Sequence, residues 1–145
     1  MSEKPRIVGI DLGTTNTLVA SVRNRIPKVV PTDRGNLVLP SVVALSDKGD
    51  LLIGKMAKDQ MVVNPKNTIY GAKRLIGRQY ASRVVQELKE YFTYEILEGK
   101  KGDVAVNLGG TILQIKKKDV PLLGECVVRT AAEMSRRLGY NGRRP

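Results

Sequence analysis

Runs of apolar residues bounded by polar, turn-forming residues recur along the chain. Two β-branched runs, at 6–11 and 17–23, flank a short polar turn, and this pattern predicts adjacent strands joined as a hairpin. Further short strands are predicted at 28–31, 41–45, 51–53, 94–97, 104–107 and 111–115. The segment 37–40 is predicted to lead out of the first layer, and the last three strands are predicted to form a small antiparallel meander.

Apolar residues spaced by three or four positions predict four helices. Three of them are short and lie at 55–63, 69–75 and 82–91. The longest helix begins at its cap, Asp119, carries Pro121 in its first turn and ends at Gly139. Its continuous apolar stripe needs a sheet to cover, and the first three strands are the candidate.

The turn between the first two strands carries the candidate chemistry. Gly13 tolerates positive φ and lets other atoms approach the backbone closely. Thr14, Thr15 and Asn16 follow with consecutive N–H groups, which form a concave anion site when they lie in a tight turn. Asp11 ends the first strand, where a carboxylate can hold the water shell of a magnesium ion. These residue types are also ordinary turn formers, so the residues alone leave open both a phosphate site and a simple hairpin turn.

Composition indicates one modest globular domain and excludes several kinds of chemistry. The chain has 145 residues, 41% of them hydrophobic, with no tryptophan and one phenylalanine, which predicts an aliphatic core. It has no histidine and one cysteine, Cys126, which excludes Ser-His and Cys-His nucleophilic pairs and the common zinc sites. We expect Cys126 to be a small buried residue.

No apolar run is long enough to span a membrane, and the first residues do not form a secretory signal. A cytoplasmic protein is therefore expected.

The chain is strongly basic, with a net charge of +11. A charge of this size raises the possibility of nucleic-acid binding. The basic residues are spread along the chain, however, and no aromatic residues alternate with them as a single-strand binding surface requires. The charge pattern therefore disfavours a nucleic acid as the partner.

Four segments carry a resemblance to a known family. The opening segment, RIVGIDLGTTNT at 6–17, resembles the start of the DnaK-type heat-shock chaperones, the seventy-kilodalton class. The segments LPSVVAL at 39–45, IGKMAK at 53–58 and NPKNTIYGAKRLIGR at 64–78 follow in the order and spacing of that family. The resemblance is strong as far as Arg78 and looser afterwards, and it favours the phosphate site over the simple turn.

The resemblance implies a fold and a division of the chain. The fold class is α/β, a partial actin-like (ribonuclease H-like) ATPase lobe with an inserted small α+β subdomain. Residues 1–41 would form the first strands of that lobe, residues 42–118 the inserted subdomain, and residues 119–145 a helix that returns to the lobe. The chain would thus be the N-terminal part of a longer nucleotide-binding domain, with the second phosphate loop and the opposing lobe lying beyond it.

The resemblance also implies roles for single residues. Gly13, Thr14, Thr15 and Asn16 would hold the β- and γ-phosphates of ATP or ADP, and Asp11 would hold Mg²⁺ through water. Lys73 would be the catalytic lysine that contacts the γ-phosphate. Without the resemblance, Lys73 could equally be a solvated cation at the end of a helix.

The parent activity would be ATP hydrolysis that drives cycles of unfolded-polypeptide binding, with a J-domain co-chaperone and a nucleotide exchange factor as partners. Because only one of the two phosphate loops lies within these residues, we expect the chain alone to hydrolyse ATP poorly or not at all. The alternative is a truncated, non-catalytic paralogue that acts as a protein-interaction module.

A second glycine segment imitates the family's second phosphate loop. Residues 107–111, NLGGT, lack the Asp and one of the three glycines of that loop. We therefore predict that Gly109 and Gly110 form an ordinary hairpin turn.

Overall fold

The computed structural model describes residues 8–23, 25–32 and 34–115. Within them the chain is mixed α/β and contains three small antiparallel sheets. The strands, in chain order, are β1 (Val8–Leu12), β2 (Asn16–Arg23), β3 (Ile26–Val29), β4 (Leu39–Pro40), β5 (Val42–Leu45), β6 (Leu51–Ile53), β7 (Thr68–Tyr70), β8 (Ile96–Glu98), β9 (Val104–Leu108) and β10 (Thr111–Gln114). The α-helices among these described residues are α1 (Lys55–Asp59) and α2 (Arg83–Tyr91). Most predicted strands are confirmed, with shifts of one or two residues at their ends.

The first sheet is organised around β2, which pairs with β1, β3 and β4. Every second residue of β2, from Thr17 through Val19 to Ser21, is buried, which is the period expected of a strand with one covered face. Thr17 lies opposite Leu12 of β1 and also opposite Leu39 of β4. The segment 37–40 was predicted to leave this layer, but its last two residues stay in the sheet as β4.

The other two sheets enclose the main hydrophobic core. One sheet has the strand order β6-β5-β7 and the other β10-β9-β8. Fully buried aliphatic side chains from both sheets and from α2 fill the core, among them Val43, Val85 and Val104. The prediction of a purely aliphatic core is wrong in one respect, because Tyr70, Phe92 and Tyr94 pack as a three-ring cluster against it. The rings lie edge to face or stacked, geometries that aromatic pairs favour.

The predicted helix at 69–75 is wrong. Thr68–Tyr70 forms β7, which pairs with β5, because β-branched and aromatic side chains fit a half-buried pleated surface. Gly71 then takes a left-handed conformation with φ of 62°, which ends the strand. A single 3₁₀ turn, Ala72–Arg74, follows and carries Lys73. The helix predicted at 55–63 is also shorter than expected, since α1 ends at Asp59.

The helix predicted at 82–91 is confirmed as α2, with Ser82 at its N-cap position. The long helix predicted between Asp119 and Gly139, together with Cys126, lies outside the described residues. The predicted division of the chain at residues 41 and 118 stays a prediction.

Candidate functional site

The turn between β1 and β2 is closed by its own backbone. Leu12 and Thr17 form the last strand pair, and the N–H of Gly13 donates to the carbonyl oxygen of Asn16 at 2.9 Å. A Cβ atom at Gly13 would lie 2.4 Å from that oxygen, so no other residue fits without opening the turn. Gly13 does not use positive φ. Of the two reasons for glycine that the sequence suggested, close approach to the backbone therefore applies, through the Asn16 carbonyl, and positive φ does not.

Ser41 holds the inner side of the turn. Its hydroxyl donates to the carbonyl oxygen of Gly13 at 2.9 Å, and its N–H donates to the carbonyl oxygen of Thr15 at 2.8 Å. The same hydroxyl lies 2.9 Å from Oγ1 of Thr17. Both hydroxyl residues are buried. Ser41 lies within one of the family motifs, but the sequence alone assigns it no role. Its one signal there is its type and place, a small hydroxyl residue that follows Pro40 at the start of a strand.

Hydrogen bonds thus occupy the carbonyl groups of Gly13, Thr15 and Asn16, whereas two N–H groups of the turn are open. Within the described part of the chain, no hydrogen bond engages the N–H of Thr14 or of Thr15. Two successive unengaged N–H groups in a tight turn can donate to the oxygens of an anion. Asn16 contributes an exposed side-chain amide at the end of the turn, and its carbonyl oxygen accepts the hydrogen bond from the N–H of Gly13.

Lys73 reaches the same turn from 61 residues along the chain. Its Nζ donates to the carbonyl oxygen of Leu12 at 2.5 Å, one residue before Gly13. The left-handed Gly71 and the 3₁₀ turn that follows give the lysine this position. The structure therefore brings together a cation and the turn that the sequence analysis paired with it.

Asp11 lies in β1 beside the turn, paired through its backbone with Leu18. The residue is exposed. Among the residues that the structure describes, no group of three or more His, Cys, Asp or Glu side chains could hold a metal ion. A divalent cation beside Asp11 would consequently need water or a ligand's own oxygens to complete its shell.

A cavity of about 470 Å³ lies on one side of the turn. Thr14 and Thr15 form part of its wall, and Lys58 and Arg74 line it with two further cations. Sequence reasoning did not single out Lys58 or Arg74. Lysine and arginine are frequent on protein surfaces, and only the fold shows that these two face the turn across one cavity.

The second glycine segment is a closed hairpin turn, as predicted. Leu108 pairs with Thr111, and Gly109 and Gly110 between them have φ of 58° and 85°, the signature of a type I′ turn. The N–H of Gly109 donates to Oδ1 of Asn67 at 3.1 Å, and the N–H of Gly110 donates to Oδ1 of Asn107 at 2.9 Å. Neither glycine N–H is left for an anion.

Comparison with known proteins places the turn, Ser41 and Lys73 within one protein family. The profile of the family described as "Hsp70 protein" matches residues 7–120, which include the turn, Ser41 and Lys73. The chain belongs to the Hsp70 family. The matched residues correspond to the N-terminal nucleotide-binding region of Hsp70 proteins. The Hsp70 family consists of chaperone ATPases, and its nucleotide-binding region has an actin-like fold and binds ATP with Mg²⁺.

One relative illustrates how much of an Hsp70 protein the chain represents. Over 112 residues the chain is 46% identical to the protein named "Heat shock 70 kDa protein, mitochondrial" from Solanum tuberosum. The match covers 75% of this chain and 16% of that relative. In the part of the chain that the structure describes, no helix is long and apolar enough to cross a membrane.

Proposed function

We propose that the turn formed by Gly13, Thr14, Thr15 and Asn16 binds the β- and γ-phosphates of ATP or ADP. The observation that carries the proposal is the division of backbone groups in this turn: the carbonyls of Gly13, Thr15 and Asn16 are hydrogen-bonded, while the N–H groups of Thr14 and Thr15 are not. Phosphate oxygens accept hydrogen bonds, so a turn that offers two N–H groups and engages three of its carbonyls elsewhere fits them. The residues present therefore suit a triphosphate.

Lys73 would supply the positive charge that the phosphates need. Its amine is held at the carbonyl of Leu12, next to Gly13 in the chain, so an oxygen bound at the turn would lie within its reach. A fixed ammonium there would stabilise negative charge on the γ-phosphate as it is transferred, and would help to orient the attacking water. Phosphoryl transfer depends on positioning and charge neutralisation of this kind.

Asp11 would hold Mg²⁺ through its water shell. Magnesium keeps several waters and is commonly bound by one carboxylate together with phosphate oxygens, which suits a site with a single exposed carboxylate beside the phosphate turn. The ion, when bound, neutralises phosphate charge; the contribution of the chain is the position of Asp11 at the end of β1.

The larger protein to which such a segment belongs would couple ATP hydrolysis to the binding of unfolded polypeptides. Family membership supports a J-domain co-chaperone and a nucleotide exchange factor as its partners. The inserted α+β subdomain would be residues 42–118, built on the second and third sheets. The cytoplasm stays the compartment predicted from the sequence, although the Solanum tuberosum relative carries the word mitochondrial in its name.

Calorimetric titration of the 145-residue chain tests the proposal. We expect Mg·ATP and Mg·ADP to bind and AMP, which lacks the β- and γ-phosphates, to bind at least tenfold more weakly. Asp11→Asn should reduce the gain in ATP affinity that magnesium gives, without changing affinity in EDTA. Equal affinity for ATP and AMP would contradict the proposed phosphate contacts.

A second candidate function is a non-catalytic protein-interaction module. The observation that favours it is the exposure of two consecutive valines after α1, Val62 at 89% and Val63 at 82%. Apolar side chains so exposed can serve as contact points for another protein. A chain that binds an Hsp70 nucleotide exchange factor through Val62 and Val63, and shows no measurable affinity for Mg·ATP, would establish this candidate instead.

A further inference from the structure

Ser41 lies where the chain passes from the first sheet to the second. It follows β4, which pairs with β2, and precedes β5, the central strand of the second sheet. From this position it makes two hydrogen bonds to the carbonyl groups of the phosphate turn and a third contact with Thr17. Its exposed fraction is 7%, and that of Thr17 is 3%, so these bonds are shielded from water.

The donors and acceptors in this cluster have only one consistent arrangement. The carbonyl of Gly13 can only accept, so the single hydroxyl proton of Ser41 is committed to it. Between the two hydroxyls, Thr17 must therefore be the donor and Ser41 the acceptor. The result is a directed chain from Thr17 through Ser41 to the carbonyl of Gly13. Hydrogen bonds in such a chain polarise and strengthen one another.

The hydrogen bonds from Thr17 to Ser41 and from Ser41 to Gly13 determine which backbone groups of the turn are exposed. With the carbonyls of Gly13 and Thr15 tied to Ser41, the Gly13–Thr14 and Thr15–Asn16 peptide units cannot rotate to turn those oxygens toward an anion. A carbonyl turned toward phosphate would repel it, whereas the N–H groups of Thr14 and Thr15 would attract it. A buried hydroxyl on an element 28 residues away thus sets the electrostatic character of the turn.

We infer that Ser41 is a positioning residue for phosphate binding, acting through the turn and oriented by Thr17. This inference rests on the proposed function, and it adds a residue that touches no phosphate itself. It predicts that loss of the Ser41 hydroxyl lowers phosphate affinity by more than its effect on folding explains.

The test compares Ser41→Ala with a matched variant, Thr68→Val. Thr68 is also buried, and its hydroxyl also donates to a backbone carbonyl, that of Asn64 at 2.7 Å, but it lies outside the turn. For each full-length variant we would measure the affinity for Mg·ATP and, without ligand, the hydrogen exchange of the Gly13 N–H, which is bonded across the turn to Asn16. Exchange rates are compared after correction for the free energy of unfolding.

Ser41→Ala should raise the Kd for Mg·ATP about tenfold and speed exchange of the Gly13 N–H by a similar factor. Thr68→Val should leave both within about twofold of the original protein. Thr17→Val should weaken binding less than Ser41→Ala does, and Thr17→Ser, which keeps the donor, should restore it.

Two results would overturn the role of Ser41 and leave the proposed function intact. One is affinity and exchange in Ser41→Ala that match the original protein, and the other is a loss of affinity in Thr68→Val as large as that in Ser41→Ala. Failure of the unmodified chain to bind Mg·ATP would instead overturn the proposed function, and with it any part of Ser41 in phosphate binding, whatever the exchange of Gly13 showed.

Discussion

Two glycine turns of this chain look alike in sequence and differ in what their backbones offer. The turn at 13–16 joins β1 to β2, and the turn at 109–110 joins β9 to β10; each connects neighbouring antiparallel strands. In the first, hydrogen bonds occupy three carbonyls and leave the N–H groups of Thr14 and Thr15 open. In the second, asparagine side chains occupy the N–H groups of both glycines. Only the first can therefore present donors to an anion.

The comparison shows that the partners of a turn decide its chemistry more than its own residues do. Ser41 reaches Gly13 across 28 positions, and Asn67 reaches Gly109 across 42. Ser41 donates to two carbonyls, one through its hydroxyl and one through its N–H, whereas the amide oxygen of Asn67 accepts from the N–H of Gly109. The partner of each turn therefore determines whether carbonyl groups or N–H groups are engaged, and so which kind of group stays open.

The largest effect is expected from adding one methyl group at the first turn. Gly13→Ala places a Cβ 2.4 Å from the carbonyl oxygen of Asn16, which must move and open the turn. We expect a loss of about 1–3 kcal/mol in the free energy of unfolding and more than a hundredfold loss of Mg·ATP affinity, measured by denaturant titration and calorimetry. Gly110→Ala is the control: its Cβ meets nothing within 4 Å, and only its φ of 85° opposes it. Unchanged affinity in Gly13→Ala would break the distinction between the turns.

Removing the cation of the first turn should have the next largest effect. Lys73→Ala eliminates the amine at the carbonyl of Leu12, and a charged hydrogen bond contributes about 1.5–3 kcal/mol, or roughly ten- to a hundredfold in affinity. Because the lysine is exposed, the melting temperature should change little. Lys100→Ala, at an exposed lysine of another turn, gives the matched loss of one charge. If both variants lost the same affinity, the effect would be one of net charge and not of position.

Opening the second turn should be a smaller, purely structural change. Asn107→Ala removes the acceptor of the Gly110 N–H and also a hydrogen bond from Asn107 to Glu95. We expect about 1 kcal/mol less stability by thermal unfolding and an unchanged Kd for Mg·ATP. A new phosphate site at Gly110, detected as a second binding event, would show that open N–H groups alone are sufficient and that a neighbouring cation such as Lys73 is unnecessary.

The smallest effect is expected in the core, at a side chain that belongs to neither turn. Burial raises the pKa of Tyr94 well above its ordinary value, with a further contribution from Tyr70. The unfolded chain therefore loses this proton above about pH 10 while the folded chain keeps it, so the free energy of unfolding falls as pH rises beyond that point. Tyr94→Phe should flatten this dependence and lose about 1 kcal/mol at neutral pH with its hydrogen bond to the carbonyl of Tyr70. A change in Mg·ATP affinity at pH 7 would mean that the turn depends on the core as a whole.

Local patterns were sufficient to predict most of the strands and α2, because apolar periodicity and turn residues act over a few positions. They failed at 69–75, where pairing of Thr68–Tyr70 with β5 overrides the helical spacing. Family resemblance pointed to the turn at 13–16 and to Lys73 as a candidate phosphate site, but not to the hydrogen bonds that leave N–H groups of this turn open. These bonds depend on Ser41, whose contacts with the turn arise only when β4 returns the chain to β2.

Amide chemical shifts measured during titration with Mg·ATP test the central claim most directly. The account predicts that the largest changes occur at the N–H groups of Thr14 and Thr15, with Gly109 and Gly110 unmoved. Saturable binding that leaves Thr14 and Thr15 unshifted, or that shifts the two glycines of the second turn instead, would contradict it.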